Sequence, residues 1–162
     1  MTKTTTITHT VELPASPSVV YSAWLDGKKH AAMTGGPATG SAKVGGSFTA
    51  WGGYITGRNV ELLSGKRIVQ TWRTSQFPKS ATDSRLELRL EKSAAGTRLT
   101  MIHSDVPASQ AKAYDVGWSD HYWTPMLAYL RVSNRTEKEI KTMPAKKKTA
   151  KKTAKKAAKK KK

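Results

Sequence analysis

Alternation of apolar and polar residues runs through much of the chain and predicts a series of β-strands. It begins at residues 5–13 and resumes in five further runs, Ser47 to Trp51, Tyr54 to Leu63, Arg67 to Thr74, Ser84 to Lys92 and Thr97 to Ser104. Glycine-containing pairs or a polar loop separate the later runs, and such short connections favour antiparallel hairpins. The pattern therefore predicts an antiparallel sheet of about six strands.

Helical signals follow the first strand. Ser16 can cap a helix that has Pro17 in its first turn, and we expect two short helices there. Residues 34–46 are rich in glycine and small residues, which is typical of a loop. The alternation of leucine with charged residues at 85–91 gives the sheet one apolar face, which needs a cover.

A second helical pattern supplies that cover. Between Ala108 and Val132 the apolar positions recur every four residues, at Trp118, Tyr122, Met126 and Leu130, which predicts a long amphipathic helix. Pro125 lies inside this helix and lacks the N–H that would bond to the carbonyl of His121, so we expect a kink. The order of elements predicts an α+β fold with the helix packed across the sheet.

Composition favours a cytoplasmic protein with one core. The 162 residues include no cysteine, so disulfides and thiolate metal sites are excluded and a reducing compartment is expected. The first residues lack the pattern of a secretory signal, and no apolar run approaches the length that spans a bilayer. We expect no transmembrane insertion and a monomer.

The net charge of +18 is concentrated near the C-terminus. Residues 144–162 hold eleven lysines and no acid, whereas every aromatic residue precedes position 130. We therefore predict a folded domain at 1–132, a polar linker or helix extension at 133–144, and a disordered lysine-rich tail at 145–162, similar in composition to the tails of linker histones.

The lysine-rich tail predicts non-specific binding to nucleic acid, and with it association with the nucleoid. Lysine neutralises phosphates as a point charge, and the tail offers no arginine fork or aromatic ring for reading or stacking on bases. A solubilising extension, or attraction to anionic membrane surfaces, remains open. The predicted contacts are Lys146, Lys147, Lys148, Lys151, Lys152, Lys155, Lys156, Lys159, Lys160, Lys161 and Lys162.

Four short motifs occur in one order along the chain: GGSF at 45–48, IVQTWR at 68–73, GTRLTMIHSD at 96–105 and GW at 117–118. With the predicted elements, they resemble the START-like (SRPBCC) helix-grip superfamily and, within it, homologues of the activator of the heat-shock-protein-90 ATPase. The resemblance implies a curved antiparallel sheet that wraps around a long C-terminal helix, with a cavity between them. Members bind lipids, other hydrophobic ligands or protein partners, and only some are enzymes, so the fold alone does not decide the function.

An apolar pocket between the sheet and the helix is the predicted ligand site. Its walls are expected where strand and helix side chains face each other, at Phe48, Gln70, Trp72, Leu88, Met101, His103, Trp118, Tyr122 and Met126. The alternative is that these residues only fill the core.

Catalysis has little support in the sequence. Alternation places His103 and Asp105 on one strand face, with His121 on the helix, but no nucleophile accompanies them. The four histidines lack metal-ligand spacing, and we expect no metal and no cofactor. The sequence therefore predicts a non-enzymatic module for a small hydrophobic ligand. A co-chaperone module for a heat-shock-protein-90 homologue and a small hydrolase or cyclase remain alternatives.

Overall fold

A seven-stranded antiparallel sheet forms the body of the protein. The computed structural model describes residues 2–142, with side chains up to residue 133. The strands lie in the order β1-β7-β6-β5-β4-β3-β2, so that the first strand pairs with the last and the others follow as a meander. Their bounds are β1 Thr4–Leu13, β2 Ala38–Thr39, β3 Ser47–Ala50, β4 Ile55–Leu63, β5 Arg67–Thr74, β6 Ser84–Ser93 and β7 Gly96–Pro107.

Two short helices connect β1 to β2, as predicted. Helix α1 spans Pro17–Leu25, and the Ser16 side chain accepts a hydrogen bond from its first turn. Helix α2 spans Gly27–Thr34, and the Asp26 carboxylate caps it in the same way. These caps fix the start of both helices immediately after the first strand.

The C-terminal helix is continuous but not uniform. It consists of α3 at Ala111–Trp118, a π-helical turn at Ser119–Trp123, and α4 at Thr124–Thr142. The irregularity expected at Pro125 therefore takes the form of a wider turn directly before the proline, in which the Thr124 N–H donates to the carbonyl of Ser119. None of the helices in the described residues is long and apolar enough to cross a membrane.

The core lies between the inner face of the sheet and the helices. Fully buried side chains come from β5, β6 and β7 and from the C-terminal helix, among them Ile68, Leu88, Leu99, Met101, Met126 and Leu130. The predicted α+β fold is confirmed. The sheet has seven strands rather than six because the two-residue β2 forms inside the predicted loop and pairs with β3.

Strand β7 contains a bulge that corrects one prediction. The pairing with β1 shifts between Thr5 and Ile7, and Asp105 adopts a left-handed φ of 59°. The bulge reverses the alternation, so His103 is buried while Asp105 is exposed to solvent. The expectation that these two side chains share one face of the strand is wrong.

Candidate functional site

A cleft of about 460 Å³ opens between the C-terminal helix and one end of the sheet. We call it the aromatic cleft, because six tryptophan and tyrosine rings form most of its wall. Among the described residues that line it, none is lysine, arginine, aspartate or glutamate. The lining consists of Trp51, Tyr54, Ile55, Trp72, Gln76, Ala113, Tyr114, Gly117, Trp118, His121 and Tyr122.

The turn between β3 and β4 brings two of these rings to the cleft. Trp51, Gly52 and Gly53 all have left-handed φ angles, and the turn is held by a hydrogen bond from the Gly52 N–H to the carbonyl of Pro37. The Trp51 ring lies over Gly36, where a Cβ atom would come within 2.3 Å of the ring. The same ring contacts His121 edge-on at a centroid distance of 5.5 Å. Glycine at position 36 thus allows Trp51 to close one side of the cleft.

A chain of hydrogen bonds fixes the polar rim of the cleft. The Tyr114 hydroxyl donates to Gln110 Oε1 at 2.6 Å and lies 2.7 Å from Thr74 Oγ1. Gln110 Nε2 donates to the carbonyl of Gln76 at 2.7 Å, and the Tyr54 hydroxyl donates to Gln76 Oε1 at 2.7 Å. Burial raises the pKa of Tyr114 to about 12, so its phenol stays neutral. The hydroxyl and amide groups of this chain are therefore polar but uncharged.

Tyr122 is held from the opposite side by helix α2. His30 Nδ1 lies 2.9 Å from the carbonyl of Trp24, which can only accept, so this nitrogen carries the proton. His30 Nε2 is then the acceptor for the Tyr122 hydroxyl, at 3.3 Å. Burial lowers the pKa of His30 and raises that of Tyr122, which keeps both groups neutral.

His103 is fully engaged in the core behind the cleft. Its Nδ1 accepts from the Trp118 indole N–H at 3.2 Å, so the proton lies on Nε2, which is 2.8 Å from Ser84 Oγ. The Ser84 hydroxyl in turn donates to the carbonyl of Trp72 at 2.6 Å. Burial lowers the pKa of His103 to about 3. A neutral imidazole with both nitrogens used orients the Trp118 ring.

Three of the nine predicted pocket residues line the aromatic cleft: Trp72, Trp118 and Tyr122. The other six lie outside its lining. Leu88, Met101, His103 and Met126 pack in the closed core, Gln70 hydrogen-bonds to Trp24 and Asn59, and Phe48 lies half-buried on β3 beside Gly57. For Leu88, Met101, His103 and Met126 the core alternative accounts for the burial, because side chains from the sheet and the C-terminal helix pack together there.

Sequence reasoning missed the part of the cleft that the β3–β4 turn supplies. Trp51 and Tyr54 flank the glycine pair that was interpreted only as a hairpin break, and Tyr114 and His121 were not assigned to the pocket. The sequence signal that could have identified this part of the wall is the pair of aromatic residues on either side of the turn. Within the described residues, no three histidine, aspartate or glutamate side chains are grouped to hold a metal ion. The predicted lysine contacts at 146–162 lie outside the described residues.

Comparison with known proteins identifies the family. A family model described as "Activator of Hsp90 ATPase homolog 1-like protein" matches residues 14–131. The activator of 90 kDa heat shock protein ATPase homolog from Dictyostelium discoideum is 29% identical over 110 residues, covering 66% of this chain and 28% of that protein. The human activator homolog 1 is 28% identical over 108 residues, covering 67% of this chain and 32% of that protein. The chain thus spans about a third of the length of these curated relatives.

A solved structure supports the same fold. The crystal structure of an HSP90 activator from Plasmodium falciparum superposes with a TM-score of 0.67 at 22% identity, covering 78% of this chain and 95% of that one. At this identity the likeness concerns the fold alone. The match of the family model over residues 14–131 shows that the chain belongs to the family of activator of Hsp90 ATPase homolog 1-like proteins.

Proposed function

We propose that this domain is a non-enzymatic binding module whose aromatic cleft takes a small hydrophobic ligand. The observation that carries the proposal is the cleft itself, about 460 Å³ in volume and walled by six aromatic rings. Small-molecule sites in proteins range from about 300 to 1,000 Å³ and combine apolar walls with a few polar groups. The hydroxyl and amide groups at the rim of the cleft are such groups.

Gly117 supports the proposal that the cleft is kept open. A glycine inside a helix costs about 1 kcal/mol relative to alanine, so an interior glycine calls for an explanation. A Cβ atom at this position would meet only His121 Cδ2, at 3.8 Å, which is an ordinary contact. Packing within the fold therefore does not require glycine at 117, whereas a missing side chain leaves room in the cleft.

The chemistry of the buried histidines favours binding over catalysis. His30 and His103 are neutral and use both ring nitrogens in contacts within the protein. His121 lies exposed at the rim of the cleft, and its ring contacts Trp51. In the described part of the cleft wall no carboxylate accompanies it as an acid or base partner.

Ligand binding can be tested by NMR on the full chain. We expect fatty acids, sterols and flavonoids, added singly, to include at least one class that shifts the amide signals of Gly117 and Tyr114 and the indole signals of Trp51 and Trp118. Signals from the outer face of the sheet, such as that of Thr100, serve as the internal control. The proposal is wrong if every compound leaves the cleft signals unchanged.

We further propose that the lysine-rich tail at 145–162 tethers the domain to nucleic acid and so to the nucleoid. The argument rests on charge alone: occupation of about six lysines makes affinity fall by about three decades between 50 and 200 mM salt. A gel shift comparing the full chain with a chain that ends at Met143 tests it. Equal mobility shifts from the two proteins would show that the tail is not needed for binding to nucleic acid.

A co-chaperone role is the second candidate, favoured by the family membership and by the activators among the relatives. The chain matches only about a third of those relatives, so the activity of the whole proteins is not implied. We propose that the domain binds a heat-shock-protein-90 homologue. Pull-down with the purified chaperone and measurement of the chaperone's ATPase rate test this. The proposal is contradicted if the domain is not retained by the chaperone and does not stimulate its ATPase.

A further inference from the structure

We infer that the aromatic cleft selects planar, uncharged aromatic compounds and holds one hydrogen-bond acceptor of the ligand against the indole N–H of Trp72. The inference rests on the proposed ligand-binding function and specifies the class of ligand. It is argued from the free N–H, from the shape of the ring walls, and from a lining that includes no lysine, arginine, aspartate or glutamate.

The indole N–H of Trp72 differs from those of the other buried tryptophans. Trp24, Trp118 and Trp123 donate to Gln70 Oε1, His103 Nδ1 and His9 Nδ1 at 3.2, 3.2 and 2.8 Å. No hydrogen bond among the described residues uses the Trp72 N–H, although the residue is only 4% exposed. A donor with no partner inside the protein is available to an acceptor on a ligand, and the net gain is that of one hydrogen bond.

This N–H is not sealed in the core. Within the described residues, Ser93 Oγ is the one fully enclosed side-chain polar atom that has no partner. The Trp72 N–H, which also has no partner, must therefore reach open space. Since Trp72 lines the aromatic cleft, we infer that the open space that this N–H reaches is the cleft.

The ring walls suit a flat molecule. The Trp72 ring stands edge-on to Tyr114, at 82° and 5.3 Å between centroids, and lies 5.8 Å from Trp118. Trp118 and Tyr122 are 4.7 Å apart and tilted by 48°. Aromatic rings arranged in this way favour offset-stacked and edge-to-face contacts with another ring.

Charge limits the choice of ligand further. A carboxylate in the cleft would lose its hydration without meeting a lysine or arginine among the residues that line it. A cation could use the ring faces, but residues 1–143 carry a net charge of +7 (18 lysines and arginines less 11 acids), which opposes its approach. An uncharged aromatic ring system with a carbonyl or ether oxygen fits both limits.

Fluorenone and fluorene form a matched pair for the test, because they share one flat three-ring frame and differ only in a carbonyl that replaces a methylene. We titrate each into the nitrogen-15-labelled full chain and follow the indole N–H signals. Fluorenone is expected to bind about three- to tenfold more tightly than fluorene, the value of one net hydrogen bond, and to shift the Trp72 N–H downfield. A fluorenone carboxylate is expected to bind at least tenfold more weakly than fluorenone.

Two variants locate the effect. Trp72→Phe keeps an aromatic wall but removes the donor. In this variant fluorenone and fluorene should bind with about equal affinity. Trp123→Phe removes an indole N–H that bonds to His9 outside the cleft, and the preference should survive. If Trp72→Phe does not fold, the Trp72 signal of the unmodified protein still decides the matter, because it requires no substitution.

The outcomes separate this inference from the proposed function. Equal affinity for fluorenone and fluorene, a preference that persists in Trp72→Phe, or equally tight binding of the carboxylate would each overturn the inference and leave ligand binding intact. Failure of both neutral compounds to shift any cleft signal would overturn the inference and count against the proposed function as well.

Discussion

Replacing Gly117 by alanine is expected to stabilise the protein. The residue lies inside α3 with no positive φ, and a Cβ atom would make one ordinary contact, at 3.8 Å to His121. Alanine is better than glycine in a helix interior by about 1 kcal/mol, so the free energy of unfolding should rise by about 0.5–1 kcal/mol. In a domain of this size that corresponds to roughly 2–4 °C in melting temperature.

A larger side chain at the same position should weaken ligand binding without unfolding the protein. In Gly117→Leu the side chain enters the cleft, and we expect affinity for any cleft ligand to fall at least tenfold. Val116→Leu is the matched control, because Val116 lies in the same helix, is 53% exposed and does not line the cleft. Its affinity should remain within a factor of two.

Urea unfolding and ligand titration of these variants together test the reasoning. Gly27→Ala is the contrasting substitution, since its Cβ would come within 2.8 Å of Thr39 Cα and 2.9 Å of Gly40 N, and it should destabilise. A loss of stability in Gly117→Ala would show that glycine is needed for packing rather than for space. Unchanged ligand affinity in Gly117→Leu would refute the assignment of the cleft as the binding site.

Two further predictions concern buried titratable groups, and urea unfolding between pH 2 and 7 measures both. Burial opposes ionisation of Glu87, but hydrogen bonds from Arg89, Arg67 and Arg85 lower its pKa from 4.5 to about 2. Because these arginines are partly exposed and solvent screens the interaction, we expect Glu87→Gln to lower the free energy of unfolding by about 2 kcal/mol at pH 7. The difference between the two proteins is fully present above pH 4.5 and is lost as the pH falls through about 2, where Glu87 itself becomes protonated. Glu91→Gln, exposed on the same strand, should change stability by less than about 0.5 kcal/mol, and an equal loss in the two variants would contradict the role of the arginine cluster. Burial lowers the pKa of His103 from 6.5 to about 3, so the unfolded chain takes up this proton first and stability falls as the pH drops from 6.5 toward 3. His103→Gln should lose less stability over that interval, and parallel curves would refute the prediction.

The fold was largely predictable because its pattern is local. Strong alternation from residue 84 to 92 marked β6, and the four-residue spacing from Trp118 to Leu130 marked the helix that covers the sheet. The exceptions have physical reasons. Strand β2 has only two residues and leaves no periodic signal, and the bulge at Asp105 breaks an alternation that sequence reasoning assumes to be continuous.

The cleft was predictable only in part. A hydrophobic pattern shows which residues face inward, but it does not show where their side chains leave open space. Leu88, Met101 and Met126 were expected around a central chamber, yet each is 0–1% exposed and they fill the core. The open space lies at the end of the sheet, where Trp51 and Tyr54 stand apart on a left-handed turn. Only tertiary geometry distinguishes these two places.

The π-helical turn contributes two residues, His121 and Tyr122, to the cleft wall. Pro125 has no N–H, and the last donor before it, on Thr124, reaches the Ser119 carbonyl five residues back rather than four. In the widened turn, His121 contacts Trp51 at the rim, while Tyr122 lies in the wall and bonds to His30. Such turns occur frequently at functional sites. The proline expected to disturb the helix is therefore separated by a single residue, Thr124, from the turn that contributes two residues to the cleft wall.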